Sequence, residues 1–162
     1  MPRSDSQVRI TKSVLDRLID DQPGLSADPP ESPLKSLRDL KQAVRRDLEW
    51  LLNSRRTVED IPPDYEETVN SLAAYGLPDF TAAGVKNPAT QEYIRRTIED
   101  AIRLFEPRLM DPEVWLEASF ESERALRYRI GARLWVDPEP EPVTFDTTFQ
   151  ISSGEYEVTG GE

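Results

Sequence analysis

Glu106 and Arg108 stand on either side of Pro107 in the stretch "RLFEPRLMDP" (103–112). Residues of apolar type flank them, Phe105 before and Leu109 and Met110 after. Opposite charges set between such residues by a rigid proline can form a catalytic pair, fix a corner as a structural ion pair, or meet an incoming partner. "LEWLLNSRR" (48–56) is the second stretch of this kind, joining Trp50 to Arg55 and Arg56. Trp and Arg dominate interface hot spots, which makes a contact patch of these three. Cations in the last turn of a helix also complement its dipole, so Arg55 and Arg56 have a structural reason too.

The rest of the composition narrows the chemistry. The 162 residues include no cysteine and no histidine. Disulfides, thiolate metal sites, a Cys nucleophile and a Ser-His-Asp triad are excluded, and the commonest metal ligand is gone. An enzyme built from this chain would rely on carboxylates, Lys, Tyr or a Ser-Lys arrangement. Acidic residues number 31, but a glycosidase pair is defined by separation in space, which spacing along the chain does not supply. No glycine-rich phosphate loop occurs, and no cofactor is expected.

Net charge is −11, a field that repels nucleic acid and anionic lipid. Residues 34–56 nevertheless carry seven bases against three acids, and residues 137–162 carry seven acids and no base. These regions are either solvated faces or surfaces for two different partners. No run of 18 apolar residues offers a membrane span, and "MPRSDSQVRITKSVLDRL" lacks the apolar stretch of a secretory signal. A soluble intracellular protein is expected.

The elements that must position these residues follow from periodicity. A loose tail over 1–10 precedes a short helix near 11–21, with Val14, Leu15, Leu18 and Ile19 on one side. The proline-rich "DQPGLSADPPESP" reads as a loop. Ser32-Pro33 can cap and open a long amphipathic helix over 33–54, with Leu34, Leu37, Val44, Leu48 and Leu51 in its stripe. A short helix is expected over 64–75, a turn at "YGLPDF" (75–80), and a helix from Asn87-Pro88 to Phe105, where Pro107 ends it. After Pro112 the period falls to two, through Val114, Leu116, Ala118 and Phe120. Leu126 to Val136 and Val143 to Ile151 continue the alternation, and "EYEVT" adds a brief last strand. Short connections favour antiparallel pairing, and the arginines of the middle strand can face Glu117, Glu121 and Asp146. The expected fold is α+β, N-terminal helices on one face of a C-terminal antiparallel sheet of three to four strands. A single domain spans 11–158, and 159–162 forms a tail.

Four stretches in this order, "RRDLEWLLNSRR" (45–56), "YGLPDF" (75–80), "AIRLFEPRL" (101–109) and "VDPEPEPVTFDTTFQISSGEYEV" (136–158), resemble the TssE family. These are baseplate subunits of bacterial type VI secretion systems, similar to a small wedge protein of contractile phage tails and sometimes labelled lysozyme-like. Ser54 departs from an expected Thr, and "LAAYGLPDF" from "LNYGLPDF". The resemblance implies a non-catalytic structural protein, cytoplasmic and in a complex docked at the inner membrane. It implies wedge partners TssF and TssG and sheath partners TssB and TssC, with TssK and the spike protein VgrG as further candidates. No nucleic acid and no direct membrane insertion are implied. The family's Glu-Pro-Arg motif falls on Glu106, Pro107 and Arg108, where the subunit meets the helical bundle of the larger wedge proteins. Its sheet resembles the strand-exchanging domain of sheath subunits, which implies a role in starting the sheath. The rival readings are a carboxylate-only peptidoglycan hydrolase and a regulatory protein-binding adaptor.

Overall fold

The computed structural model describes residues 10, 13–19, 24, 33–57, 61–62, 64–81, 83–84, 86–117 and 125–161, without the side chains of 33–35. The elements are α1 (Val14–Leu18), α2 (Pro33–Asn53), α3 (Glu66–Val69), a 3₁₀ turn (Leu72–Ala74) and α4 (Pro88–Phe105), then β1 (Leu109–Glu117), β2 (Ala125–Leu134), β3 (Glu141–Gln150) and β4 (Glu155–Gly160). The four strands form one antiparallel sheet in the order β1-β2-β3-β4. This is the expected α+β order of helices first and a meander last.

The amphipathic stripes explain the layering. Val44, Leu48, Leu51 and Leu52 of α2 and Ile94, Ile98, Ala101 and Ile102 of α4 are buried. They pack in one core with the inward residues of the strands, among them Tyr128, Ile130, Phe145 and Phe149. Each such side chain removed from water contributes roughly 1.5–3 kcal/mol. Alternate strand residues face out, including Arg127, Arg129, Arg133 and Trp135. Arg129 bridges Glu117 at 2.7 Å and Asp146 at 3.0 Å across the outer face, and Arg133 pairs with Asp111. Asn87 caps α4 by accepting from the Ala89 N–H at 2.9 Å, with Pro88 in the first turn.

Four boundaries differ from expectation. The sheet begins at Leu109 rather than after Pro112. The pairing slips between Met110 and Glu113, and Asp111 takes φ 47°. β1 is an edge strand, where a proline at a bulge removes no ladder bond. The helix expected over 64–75 is split into α3 and the 3₁₀ turn, because Ser71 starts a new cap by accepting from the Ala73 N–H. The N-terminal helix is only five residues long and buries none of them. Val14, Leu15, Leu18 and Ile19 are all exposed, Val14 by 73% and Leu18 by 76%. β4 continues through Thr159 and Gly160, past the expected tail boundary. Ser32, most of the 21–33 loop, Ala118, Phe120 and Glu121 lie outside the described residues.

Both edges of the sheet are met by helix side chains. On β4, the Asn53 side-chain amide donates to the Tyr156 carbonyl and accepts from the Tyr156 N–H, each at 2.8 Å. Arg45 donates to the Val158 carbonyl at 3.2 Å. On β1, Arg95 donates to the Val114 carbonyl at 3.2 Å and Glu99 accepts from the Val114 N–H at 3.3 Å. The two long helices thus cover the inner face and also satisfy edge groups that would otherwise invite another strand.

Candidate functional site

α4 stops at Phe105, and Glu106 takes the C-cap position, donating its N–H to the Ile102 carbonyl. The Leu109 N–H returns to the Glu106 carbonyl at 3.0 Å, which makes a tight corner into β1. The Arg108 carbonyl accepts from the Trp135 N–H at 2.8 Å, fixing the corner to the sheet. Pro107, at the outside of the corner, is exposed.

The side chains turn inward. Glu106 is 4% exposed and is the one buried carboxylate among the described residues. Arg108 forks onto it, Nε to Oε1 and Nη2 to Oε2, both at 2.6 Å. Arg108 Nη2 also reaches Asp47 Oδ2 of α2 at 2.5 Å. Asp47 Oδ1 accepts from Arg46 at 2.8 Å, and Arg46 Nη2 donates to Asp16 Oδ1 of α1 at 2.7 Å. Asp16 Oδ2 lies 3.5 Å from Arg108 Nη1. A closed ring of two cations and two anions, with Glu106 joined to it through Arg108, therefore ties α1, α2 and the α4–β1 corner together.

The titration of the ring follows its geometry. Burial alone would lower the Arg108 pKa, but the hydrogen bonds and charges of Glu106 and Asp47 hold it above the ordinary value. Burial opposes the charged form of Asp16 as well, yet the Ser13 hydroxyl and Arg46 keep its carboxyl below the usual range. Tyr75 is pushed up by burial and by the negative charges of Asp47 and Glu106. Its ring meets Phe105 edge-on at 5.2 Å, which brings "YGLPDF" against the corner.

The remaining predicted site residues divide. Trp50 is half exposed, and the Arg46 guanidinium lies over its ring at 5.0 Å, so Trp50 adjoins the charged ring. Arg55 and Arg56 sit at the far end of α2. Arg55 donates to the Gly154 carbonyl at 2.5 Å, and Arg56 reaches the Gly76 carbonyl at 3.5 Å. Both brace neighbouring backbone and are not part of the corner. Sequence reasoning missed Asp16, Arg46 and Asp47. The i, i+4 spacing of Arg46 and Trp50 was a usable signal; nothing local marked Asp16.

Among the described residues no group of three or more His, Cys, Asp or Glu is placed to hold a metal ion, and no helix is long and apolar enough to cross a membrane. The arrangement can hold a corner rigid and present Pro107, Arg46, Arg108 and Trp50 together. No curated protein matches the sequence. The profile of the family described as baseplate wedge protein gp25 matches residues 38–139, more than half of the chain and a span that includes "LEWLLNSRR", "YGLPDF" and "FEPRL". The chain belongs to the gp25 baseplate wedge family, the TssE-type family that its motifs resemble.

Proposed function

We propose that the chain is a structural subunit of a type VI secretion baseplate, docking onto TssF and TssG in the wedge through the Glu106-Pro107-Arg108 corner. Membership in a family of baseplate wedge proteins supports the structural role. The observation that carries the choice of surface is the charged ring itself. It is a preorganised site at a rigid turn, beside a half-exposed Trp50, and such pre-ordered Trp and Arg groups lose little entropy on binding.

The subunit acts without catalysis in this reading. Both oxygens of the buried Glu106 accept from Arg108, so this carboxyl is turned into an internal ion pair and away from any substrate. The four-stranded sheet supplies the template role, with TssB and TssC meeting it as the first sheath ring. β4 is the candidate edge, and a strand adding there would have to displace Asn53 and Arg45 from Tyr156 and Val158. TssK and VgrG are neighbours in the same assembly, which is cytoplasmic and docked at the inner membrane.

Co-purification with TssF and TssG tests the reading. The native chain should enter a stable complex, and Arg108→Ala should reduce its recovery. Absence of the native chain from that complex, or clearance of peptidoglycan by the pure protein, would overturn it.

A further inference from the structure

α1 is held to the rest of the protein in an unusual way. None of its residues is buried, and its three apolar side chains and that of the C-cap Ile19 are exposed. Its ties to the charged ring run through one side chain, Asp16, to Arg46 at 2.7 Å and to Arg108 at 3.5 Å. The second tie is imperfect: Arg108 Nη1 is buried and makes no hydrogen bond, although Asp16 Oδ2 is its facing acceptor. Asp16 is therefore a carboxylate that reaches the guanidinium pair without satisfying it. The other anions, Asp47 and Glu106, are anchored within α2 and at the corner, and they already balance the two cations.

We propose that Arg46 and Arg108 form a carboxylate-binding site that Asp16 fills in the free chain and an acidic side chain of the wedge partner fills in the assembly. The inference rests on the docking reading above and names the chemistry of what docks. Arg108 Nη1 and Arg46 Nη2 face the two oxygens of one carboxylate, a two-point grip that the single oxygen of a backbone carbonyl does not match. Lifting α1 uncovers no buried apolar residue; it breaks the Asp16 pairs, whose side chains are 10–28% exposed, and a partner carboxylate in the same place restores what is lost. Displacement also frees Nη2 of the Arg46 guanidinium that stacks on Trp50. Because Asp16 occupies the site first, the apparent affinity for the partner is reduced by the fraction of chain in which it is bound.

The test is binding of purified TssF–TssG complex to the full chain by biolayer interferometry. Asp16→Asn removes the competing charge and should tighten binding about threefold or more at low salt, whereas Arg108→Ala should lose most of it. A second measurement leaves Asp16 untouched. Nitroxides on Val14→Cys and Glu157→Cys, the only thiols in that chain, should report a changed separation when the complex is added. Equal or weaker binding by Asp16→Asn, or an unchanged label separation, overturns the displacement while weak binding by Arg108→Ala leaves the docking corner standing. Normal binding by Arg108→Ala overturns the docking corner itself.

Discussion

Asn53 and Tyr156 are paired as two strands would be: the side-chain amide gives and takes one hydrogen bond with the same peptide unit, each at 2.8 Å. α2 thereby supplies a substitute neighbour for the outer side of β4. Asn53→Ala should cost about 1–2 kcal/mol, since it strips both partners from a half-buried edge. Denaturant titration measures the loss. Amide exchange at Tyr156 should quicken selectively, and an unchanged rate there would mean that the edge is protected by something other than Asn53.

Glu106 and Arg108 should not be equivalent on truncation. Removing Glu106 leaves Arg108 with Asp47 and Asp16 nearby. Removing Arg108 leaves Glu106 buried without its donor and Asp47 without one of its two cations. An uncompensated buried charge is the costly case. Arg108→Ala is expected to lose about 2 kcal/mol, a value kept low because the guanidinium is a fifth exposed. Glu106→Ala should lose less, and both variants should remain folded. Thermal melting decides; the reverse order would show that Glu106, not Arg108, holds the ring together.

Leu48 is fully buried in the α2 stripe. Leu48→Asp places an unpaired charge in the core and should unfold the protein, a loss beyond about 4 kcal/mol. Circular dichroism of a soluble variant with native melting would contradict that placement.

What the sequence disclosed and what it hid separate along physical lines. α2, α4 and the strands were legible because one buried face repeats at 3.6 residues over 18 or more positions in the helices and at 2 over six to ten in the strands. The start of β1 was not, because Pro112 looks like a boundary and is harmless on an edge. Glu106 and Arg108 could be named from their spacing, and their mutual fork is the structural ion pair that was one of three open readings. The ring around them needed tertiary contact. Asp16 lies 30 residues from Arg46, on a helix whose apolar pattern suggested burial that does not occur. α1 has too few turns for its pattern to carry weight, and its attachment is ionic.

Acid should loosen the ring through Asp16 and, separately, the Glu92 and Glu99 pairs on the face of α4. Asp16 and Glu99 have folded pKa values below their ordinary ones, and the Arg95 and Arg96 hydrogen bonds bring Glu92 down to about 2. Carboxylates depressed in the folded state contribute stability that is present above the unfolded value and lost as pH falls through the folded one. Melting temperature should therefore hold at neutral pH and drop between about pH 4.5 and 2. Asp16→Asn should flatten part of that drop. The Glu92 share should fade in high salt, as expected for an exposed pair. Stability that rises with acid in this window would contradict the charged state of these carboxylates, and an Asp16→Asn profile identical to the native one would remove Asp16 from the account.

Gly76 offers the sharpest test of the corner's support. It takes φ +94°, and a Cβ there would stand 2.4 Å from the Ser54 carbonyl oxygen. That oxygen accepts from the Leu77 N–H at 2.9 Å, and the Leu77 carbonyl accepts from the Arg56 N–H at 2.9 Å. The two bonds tie the end of α2 to "YGLPDF", whose Tyr75 packs on Phe105 at the corner. Gly76→Ala imposes a strained backbone and a backbone clash together, and should cost about 3 kcal/mol or more. Gly131→Ala is the control. Its Cβ meets only the Trp115 ring, at 2.7 Å, and that half-exposed side chain can swing away, so the loss should stay within about 1 kcal/mol. Parallel denaturant melts compare them. Equal losses would mean that the Ser54–Leu77 tie is dispensable and that the corner is held by the charged ring alone.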